Sequence, residues 1–178
     1  MATKTFEDYF ASKGALPGEE LIGGDKALVL RSSTVFQGEP DINSALANMQ
    51  GNALVTTINT VDVWEQISGA MADANSTATF TFAANQYTYI GVNQIGTDTI
   101  RASVSLLSAA DAQYQVGIFV NSVLVGTGMT TSATTTSAAF VSAAAPYALQ
   151  TGDVIELKVR NITDAEDVTV LDAQLEVS

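Results

Sequence analysis

The sequence contains no cysteine and no histidine among its 178 residues. The lack of cysteine excludes disulfides, thiolate nucleophiles and CxxC redox pairs, and without either residue the usual structural zinc sites cannot form. The lack of histidine removes Ser-His-Asp triads, Cys-His dyads and any histidine-based pH switch. Much of the side-chain chemistry that enzymes use is therefore excluded, and we expect neither a cofactor nor a metal ion.

Basic residues are also scarce, with 7 Lys and Arg against 19 Asp and Glu and a formal net charge of −12. A surface of this sign repels DNA, RNA and anionic lipid, so we expect neither nucleic acid nor a membrane as a partner. No apolar run approaches the roughly 18 residues that a membrane-spanning helix needs. The first residues show no basic region followed by an apolar stretch, so we expect no secretory signal.

Residues 1–60 differ in composition from the rest, because they hold four of the 7 basic residues and two of the 3 prolines. Thr5 is suited to cap a short helix that ends at Gly14. Asp41 is suited to cap a second helix that ends near Gly51, with apolar residues between them at helical spacing. Residues 27–30 read as a short strand. These elements are too small and too separated to build a core, so we predict an extended docking arm that carries short helices.

From residue 61 onward the pattern becomes almost purely β. Apolar residues occupy the even positions from Ile100 to Leu106 and the odd positions from Ile155 to Val159, which is the alternation of a strand with one buried face. Asn121-Ser122 separates two apolar runs and indicates a two-residue hairpin loop. We predict an all-β, antiparallel sandwich or barrel over residues 61–178. The candidate strands are 61–67, 77–82, 87–95, 99–107, 114–120, 123–126, 135–141, 154–162 and 168–177.

No charged residue lies between Asp111 and Asp153. One interpretation is a central pair of strands with an uncharged loop. The other is a subunit interface, because the cores of protein contacts are depleted of charge and an uncharged β surface on a monomer invites aggregation. We favour a subunit interface, and the residues predicted to form it are Ile118, Val120, Leu124, Phe140 and Tyr147.

The acidic residues do not form a recognisable site for chemistry. The turn 164–167 offers carboxylates for calcium but lacks the DxDxDG spacing, so a solvated hairpin loop is the favoured interpretation. The acidic residues Glu19, Glu20 and Asp25 have the same two interpretations. A carboxylate pair can hydrolyse a glycosidic bond without histidine, but nothing in the sequence points to a perturbed carboxylate in a cleft. We therefore predict no catalytic residues and no enzymatic activity.

One C-terminal segment suggests a family. Residues 149–170 read Leu-Gln-Thr-Gly-Asp-Val-Ile-Glu-Leu-Lys-Val-Arg-Asn-Ile-Thr-Asp-Ala-Glu-Asp-Val-Thr-Val. This segment resembles the closing hairpin of the tumour-necrosis-factor/C1q-like jelly rolls in virion proteins of tailed phages. Segments 100–105 and 116–125 are similar to the middle strands and hairpin of that domain, and segment 16–30 is similar to short strand-forming pieces of phage tail and head appendages. The β resemblance covers roughly residues 62–178.

The resemblance implies an antiparallel jelly-roll sandwich and a trimeric, non-enzymatic component of a virus particle. We expect a homotrimeric capsid decoration, or cement, protein on the exterior of a bacteriophage virion, with the major capsid protein as its partner. In this interpretation the arm over residues 1–60 clamps neighbouring capsomers. The apolar arm residues expected to fill grooves on the shell are Phe6, Tyr9, Phe10, Leu16, Ile22 and Ile42.

Two alternatives stay open at this point. A head or tail fibre tip that binds a host glycan or receptor predicts exposed aromatic or Asn-rich loops at one end, such as 85–87 or 93–94. A stand-alone carbohydrate-binding β-sandwich, assisted by calcium, predicts glycan binding by a monomer.

Overall fold

The computed structural model describes residues 43–94, 96–108, 111–129, 134 and 137–178. The regular elements in these ranges are all β-strands. The helix predicted after Thr5 and the strand predicted at 27–30 lie outside the described residues. The strands are β1 (Ala45–Met49), β2 (Val55–Thr56), β3 (Glu65–Gln66), β4 (Ala72–Ser76), β5 (Phe80–Ala83), β6 (Gln86–Tyr89), β7 (Asp98–Ser108), β8 (Tyr114–Val120), β9 (Val123–Met129), β10 (Ala139–Tyr147), β11 (Val154–Asn161) and β12 (Val168–Val177).

The strands form two antiparallel sheets. Sheet A has the order β10-β7-β12-β1-β4, and the short strand β2 also pairs with β12. Sheet B has the order β5-β6-β11-β8-β9, and the short strand β3 also pairs with β11. Apart from the hairpins β5–β6 and β8–β9, neighbours within a sheet are distant in the chain, because the chain crosses repeatedly between the sheets. The prediction of an all-β antiparallel sandwich is confirmed.

The core between the sheets is built by alternation along the long strands. The even-numbered residues of β7 from Ile100 to Leu106 are buried, and so are Ile155, Leu157 and Val159 of β11. Three tyrosines, Tyr87, Tyr89 and Tyr114, are also fully buried. Burial of these apolar side chains is the main favourable term for the fold. The period-2 pattern in the sequence predicted the inward face of β7 and β11 correctly.

The helix predicted over residues 41–51 is wrong, because residues 45–49 form β1. Ala45, Ala47 and Met49 alternate into the core, and β1 pairs with β12 on one side and with β4 on the other. Hydrogen bonding to two neighbouring strands outweighs the helix propensity of Ala, Leu and Met, which is only a weak preference. The described sandwich therefore includes residues that were assigned to the arm, while the part of the predicted arm over residues 1–42 lies outside the described residues and stays a prediction.

The accuracy of the other predicted strands follows the strength of their patterns. Predicted strands 99–107, 114–120, 123–126, 154–162 and 168–177 coincide closely with β7, β8, β9, β11 and β12. The hairpin loop at Asn121 and Ser122 is confirmed, with φ angles of 51° and 65° that are typical of a type I′ turn. Predicted strand 61–67 is reduced to β3, predicted strand 135–141 shifts to β10, and β2 and β4 were missed.

The loops define two ends of the sandwich. The entry end contains Asn43, the first described residue, together with loops 90–94, 121–122 and 148–153. The far end contains loops 50–54 and 57–64 and the acidic turn 162–167.

Candidate functional site

The edge strands β9 and β10 of the two sheets contact each other along one side of the sandwich, the β9–β10 side. A Cβ atom on Gly126 would lie 2.9 Å from the Cβ of Ala145. A Cβ atom on Gly128 would overlap the carbonyl oxygen of Ser142. Both positions need the space that only glycine leaves, so the motif Gly126-Thr-Gly128 serves the close approach of two backbones.

Large apolar side chains border this side and are exposed. Phe140 of β10 is 71% exposed and faces outward from sheet A. Leu124 and Met129 of β9 are also exposed and lie opposite Phe119 and Gln115 of β8, on the outer face of sheet B. No residue from 112 to 152 carries a charge. The β9–β10 side is therefore an uncharged apolar surface of the kind that marks a protein contact.

The structure divides the five predicted interface residues into two groups. Ile118 is 0% exposed, and it lies with Val120 on the inner face of β8, between β11 and β9. These two side chains belong to the core of one chain and have no surface to offer a partner, so their assignment to an interface is corrected. Leu124 and Phe140 are exposed and Tyr147 is half-buried. The interface formed by these three stays a prediction.

The prediction did not include Met129, whose side chain completes the apolar surface on β9. Thr127 lies two residues before Met129 on the same face of β9 and gave a signal, but the segment contains no charged residue that would mark the outer face. The six predicted docking residues of the arm lie outside the described residues, and their role stays a prediction. They are Phe6, Tyr9, Phe10, Leu16, Ile22 and Ile42.

The outer face of sheet A next to Phe140 carries short, uncharged polar side chains. Ser142 of β10 pairs with Ser103 of β7, which in turn pairs with Gln174 of β12. Phe140 itself pairs with Ser105. Short side chains let another surface approach closely, and the absence of charge in the row of Ser142, Ser103 and Gln174 lowers the cost of removing it from water. The neighbouring row, which starts at Phe140, continues through Ser105 to the exposed carboxylate of Asp172.

Toward the far end the same face becomes apolar. A β-bulge in β12 between Val170 and Asp172 interrupts the register with β7, so that Leu171 and Asp172 both point away from the core. Leu107 lies beside them, and Val55 at the border is exposed. The carboxylate of Asp172 accepts a hydrogen bond from the backbone N–H of Gly51 (3.0 Å), which fixes the loop that follows β1.

The outer face of sheet B is covered by Trp64, which lies in the segment between β2 and β3. A Cβ atom on Gly117 would lie 2.8 Å from the indole ring, so glycine makes room for it. The guanidinium of Arg160 lies 4.5 Å from the centre of the indole ring, and its Nη1 pairs with Asp62 at 2.8 Å. Arg160 Nε donates to Gln115 Oε1 (2.8 Å). These contacts hold the segment between β2 and β3 on sheet B and engage the guanidinium of Arg160 within the chain.

Two buried tyrosines hold polar networks. The Tyr87 hydroxyl donates to Asp73 Oδ1 (2.7 Å), and burial together with this carboxylate raises the pKa of Tyr87 well above its ordinary value. Burial likewise raises the pKa of Tyr114, whose hydroxyl lies 2.8 Å from Ser108 Oγ and donates to the carbonyl oxygen of Glu166 (3.1 Å). Both networks connect distant parts of the chain and rigidify the sandwich.

The acidic turn at the far end is organised by internal hydrogen bonds. The Asp164 carboxylate accepts from Asn161 Nδ2 and from the backbone N–H of Glu166. Among the residues that the structure describes, no group of three or more acidic side chains is placed to hold a metal ion. The described ranges also include no helix that is long and apolar enough to span a membrane.

The loops expected of a fibre tip use their polar groups internally. Tyr87 is buried, and Asn85 Oδ1 accepts from the backbone N–H of Met71 (2.8 Å). At the entry end, Asn93 Oδ1 accepts from the backbone N–H of Thr151 (2.8 Å). These amides therefore shape the loops that contain them.

Comparison with solved structures identifies the fold of the described sandwich. No protein-family model matches the chain, and no curated protein matches it. The chain is similar to murine APRIL in its crystal structure at pH 5.0, with a TM-score of 0.54 and 10% identity over 76% of this chain and 98% of that chain. It is also similar to Eiger TNF from S. frugiperda, with a TM-score of 0.50 and 14% identity over 76% of this chain and 92% of that chain. The described sandwich therefore has a tumour-necrosis-factor-like jelly-roll fold, which confirms the fold that the resemblance implied.

Proposed function

We propose that the chain is a homotrimeric, non-enzymatic structural protein that decorates the exterior of a bacteriophage capsid, with the major capsid protein as its partner. The observation that carries the homotrimer is the β9–β10 side, where Phe140, Leu124 and Met129 are exposed within a segment that lacks any charge from 112 to 152. The assignment to a phage virion is supported by the resemblance of segment 149–170.

The surface favours a closed ring of copies. Burial of Phe140 and Met129 against a second copy removes apolar area from water, and contact cores of homo-oligomers are apolar and poor in charge. The outer face of sheet A offers the uncharged row of Ser103, Ser142 and Gln174 as a contact surface for the β9–β10 side of a second copy. Two different patches in contact give a heterologous interface, which closes into a ring when the rotation allows.

The charge distribution favours an external position. Residues 43–178 contain twelve acidic and three basic residues, whereas residues 1–42 contain the other four bases. An acidic domain on the outside of a particle keeps particles apart by repulsion. Three arms on one trimer bind a lattice with high effective concentration, so individually weak contacts add up to durable attachment.

The trimer is tested by variants of the full chain. The double substitution Met129→Ser with Phe140→Ser removes two exposed apolar side chains from the β9–β10 side, and native mass spectrometry should show one chain in place of three. Val61→Ser with Val63→Ser is the matched control, because these residues are 43% and 44% exposed at the far end and should leave the trimer intact. A double variant that remains trimeric at the same concentration would rule out this interface.

The capsid role is tested on shells of the phage that encodes the chain, after the chain has been removed from them. Purified wild-type chain should co-sediment with these shells and saturate at many copies per shell. Saturation at very few copies would favour the fibre-tip alternative. Absence of binding would overturn the proposed function, and binding of a monomer to a glycan array would favour a carbohydrate-binding sandwich.

A further inference from the structure

A row of uncharged polar side chains crosses the outer face of sheet A. The strand register places Ser142, Ser103, Gln174 and Asn48 side by side on β10, β7, β12 and β1. We name these residues the polar row. Their side chains are exposed or half-buried. The row reaches the edge strand β10, which also carries Phe140, so it is continuous with the β9–β10 side.

The two amides of the polar row leave most of their hydrogen-bonding capacity unused within the chain. Gln174 Oε1 accepts one long bond from Ser103 Oγ (3.4 Å), which is weak at this length. Asn48 makes no side-chain hydrogen bond to any residue in the described ranges. Asn52, by contrast, donates from Nδ2 to the carbonyl oxygen of Val170 (2.8 Å). The amides of the polar row therefore have donors and acceptors to offer another molecule.

The position of Asn48 is unusual for its residue type. Asparagine is disfavoured in strands, and Asn48 lies inside β1, which pairs with a strand on each side. No bond within the described part of its own chain compensates for this choice. In natural proteins such exceptions to local preference occur at functional sites.

Charged residues border the polar row on both sides. On one side Arg101 Nη1 lies 3.8 Å from Glu176 Oε1, and on the other side Asp172 is exposed. Each of these residues lies two positions along its strand from the row. A surface that covers only the row leaves the ion pair and the carboxylate at its borders in water, which avoids the cost of desolvating them.

The β9–β10 side of a second copy matches the polar row in charge and in hydrogen bonding. It carries no charge from 112 to 152, so it sets no unpaired charge against the row. Thr127 lies between Leu124 and Met129 on the outer face of β9, and it is exposed. Its hydroxyl can donate to an amide oxygen and accept from an amide N–H. A second copy therefore supplies a polar group in the middle of its apolar contact.

We infer that the amides of Gln174 and Asn48 hydrogen-bond to Thr127 of a second copy and thereby fix the register of the subunit contact. The inference rests on the proposed function and names the residues that determine the geometry of the trimer. It makes Gln174, Asn48 and Thr127 the specificity-determining residues of assembly, whereas the exposed apolar side chains supply the affinity.

The physical reason is the difference between apolar and polar contacts. Apolar burial is non-directional, so Leu124 and Met129 alone allow the two surfaces to slide over each other. A buried polar group that loses its partner on sliding is penalised. A single polar residue in the apolar seam of a coiled coil sets register and stoichiometry in this way. The polar row therefore selects the rotation between copies at which the ring closes.

Disulfide trapping tests the contact directly, because the chain contains no cysteine. Thr127→Cys with Gln174→Cys places two thiols on the outer faces of different sheets, too far apart to bond within one chain. Oxidation of the full-length variant should link chains into covalent trimers on a non-reducing gel. Thr127→Cys with Asn75→Cys is the matched control, because Asn75 lies on the opposite edge strand β4, and it should give no covalent trimer.

Isosteric carboxylates test the role of the two amides. Asn48→Asp with Gln174→Glu keeps the shape of both side chains but sets two negative charges against a surface without a cation. The chain concentration at which the trimer dissociates should rise by about tenfold or more in sedimentation equilibrium. Asn75→Asp is the matched control and should dissociate like the wild type. Urea denaturation should show that the variant chain is folded, since neither amide has a strong bond in its own chain.

Failure of the inference is distinguishable from failure of the proposed trimer. If the wild type is a trimer but the thiols at 127 and 174 do not link, or the control pair links equally well, the inference is overturned and the trimer stands. The same conclusion follows if the carboxylate variant and Asn75→Asp dissociate at the same concentration. If the wild type is a single chain, the proposed trimer fails and the inference fails with it.

Discussion

Glycine residues determine how closely the edge strands of the two sheets approach each other. A Cβ atom on Gly128 would overlap the carbonyl oxygen of Ser142, whereas one on Gly96 would meet nothing within 4 Å. Gly128→Ala should therefore lower the free energy of unfolding by about 3 kcal/mol, because backbone rather than a flexible side chain must move. Gly96→Ala is the control and should be nearly neutral. Urea denaturation measures both, and equal stability of the two variants would contradict the close approach of β9 and β10.

The buried hydroxyl of Tyr87 makes stability depend on alkaline pH. An unfolded tyrosine ionises near pH 10, whereas burial and Asp73 raise the pKa of Tyr87 in the folded chain. The proton that the folded state retains stabilises it below pH 10, and this contribution is lost as the pH rises through the folded pKa. The free energy of unfolding should therefore decrease above about pH 10.

Tyr87→Phe is the matched variant for this prediction. It removes one ionising group, so its free energy of unfolding should fall less steeply between about pH 10 and 11 than that of the wild type. Denaturant titrations at several alkaline pH values measure the two slopes. The same slope in both proteins would show that Tyr87 does not hold its proton in the folded state.

At the scale of elements, the segment between β2 and β3 is held on sheet B by its indole. Trp64 is the chain's single tryptophan, and its ring meets Phe119 edge-on with centroids 5.2 Å apart. Gly117→Ala would place a methyl group 2.8 Å from the ring, so it should displace the indole into water. The tryptophan emission should shift to the red, with a smaller loss of stability than that of Gly128→Ala because a segment moves rather than a paired strand. Unchanged emission would contradict the position of the ring.

The strands whose inward face could be predicted from the sequence are those that carry polar residues on the opposite face. In β7 and β11 apolar and polar residues alternate, so both the strand and its inward face were correct. In β1 the residues Ala45 to Met49 lack that alternation, and their pairing with β12 and β4 depends on strands more than a hundred and about thirty residues away. A local pattern favours a helix there, and only tertiary hydrogen bonding overrides it.

The candidate interface could likewise be predicted only in part, because the sequence does not show how its strands pair. The missing charges between Asp111 and Asp153 located the β9–β10 side, because a charge-free run is visible in the sequence. They could not distinguish Ile118, which is buried, from Phe140, which is exposed, because both neighbours of each residue are uncharged. The face that a side chain occupies in such a run depends on the register with other strands.

At the scale of the whole molecule, different residues form the uncharged β9–β10 side and the acidic turn 162–167 of the far end. In the proposed assembly the β9–β10 side holds copies together and the acidic turn remains in solvent. Variants of one surface should therefore leave the other unaffected.

The molar mass of the intact chain in solution tests the central claim most directly. Sedimentation equilibrium at a series of concentrations in the micromolar range should give a single species with three times the chain mass of 18.5 kDa. This mass should not depend on the loading concentration. A mass of one chain, with Phe140, Leu124 and Met129 stably exposed to solvent, would contradict the proposal that identical copies meet through the β9–β10 side.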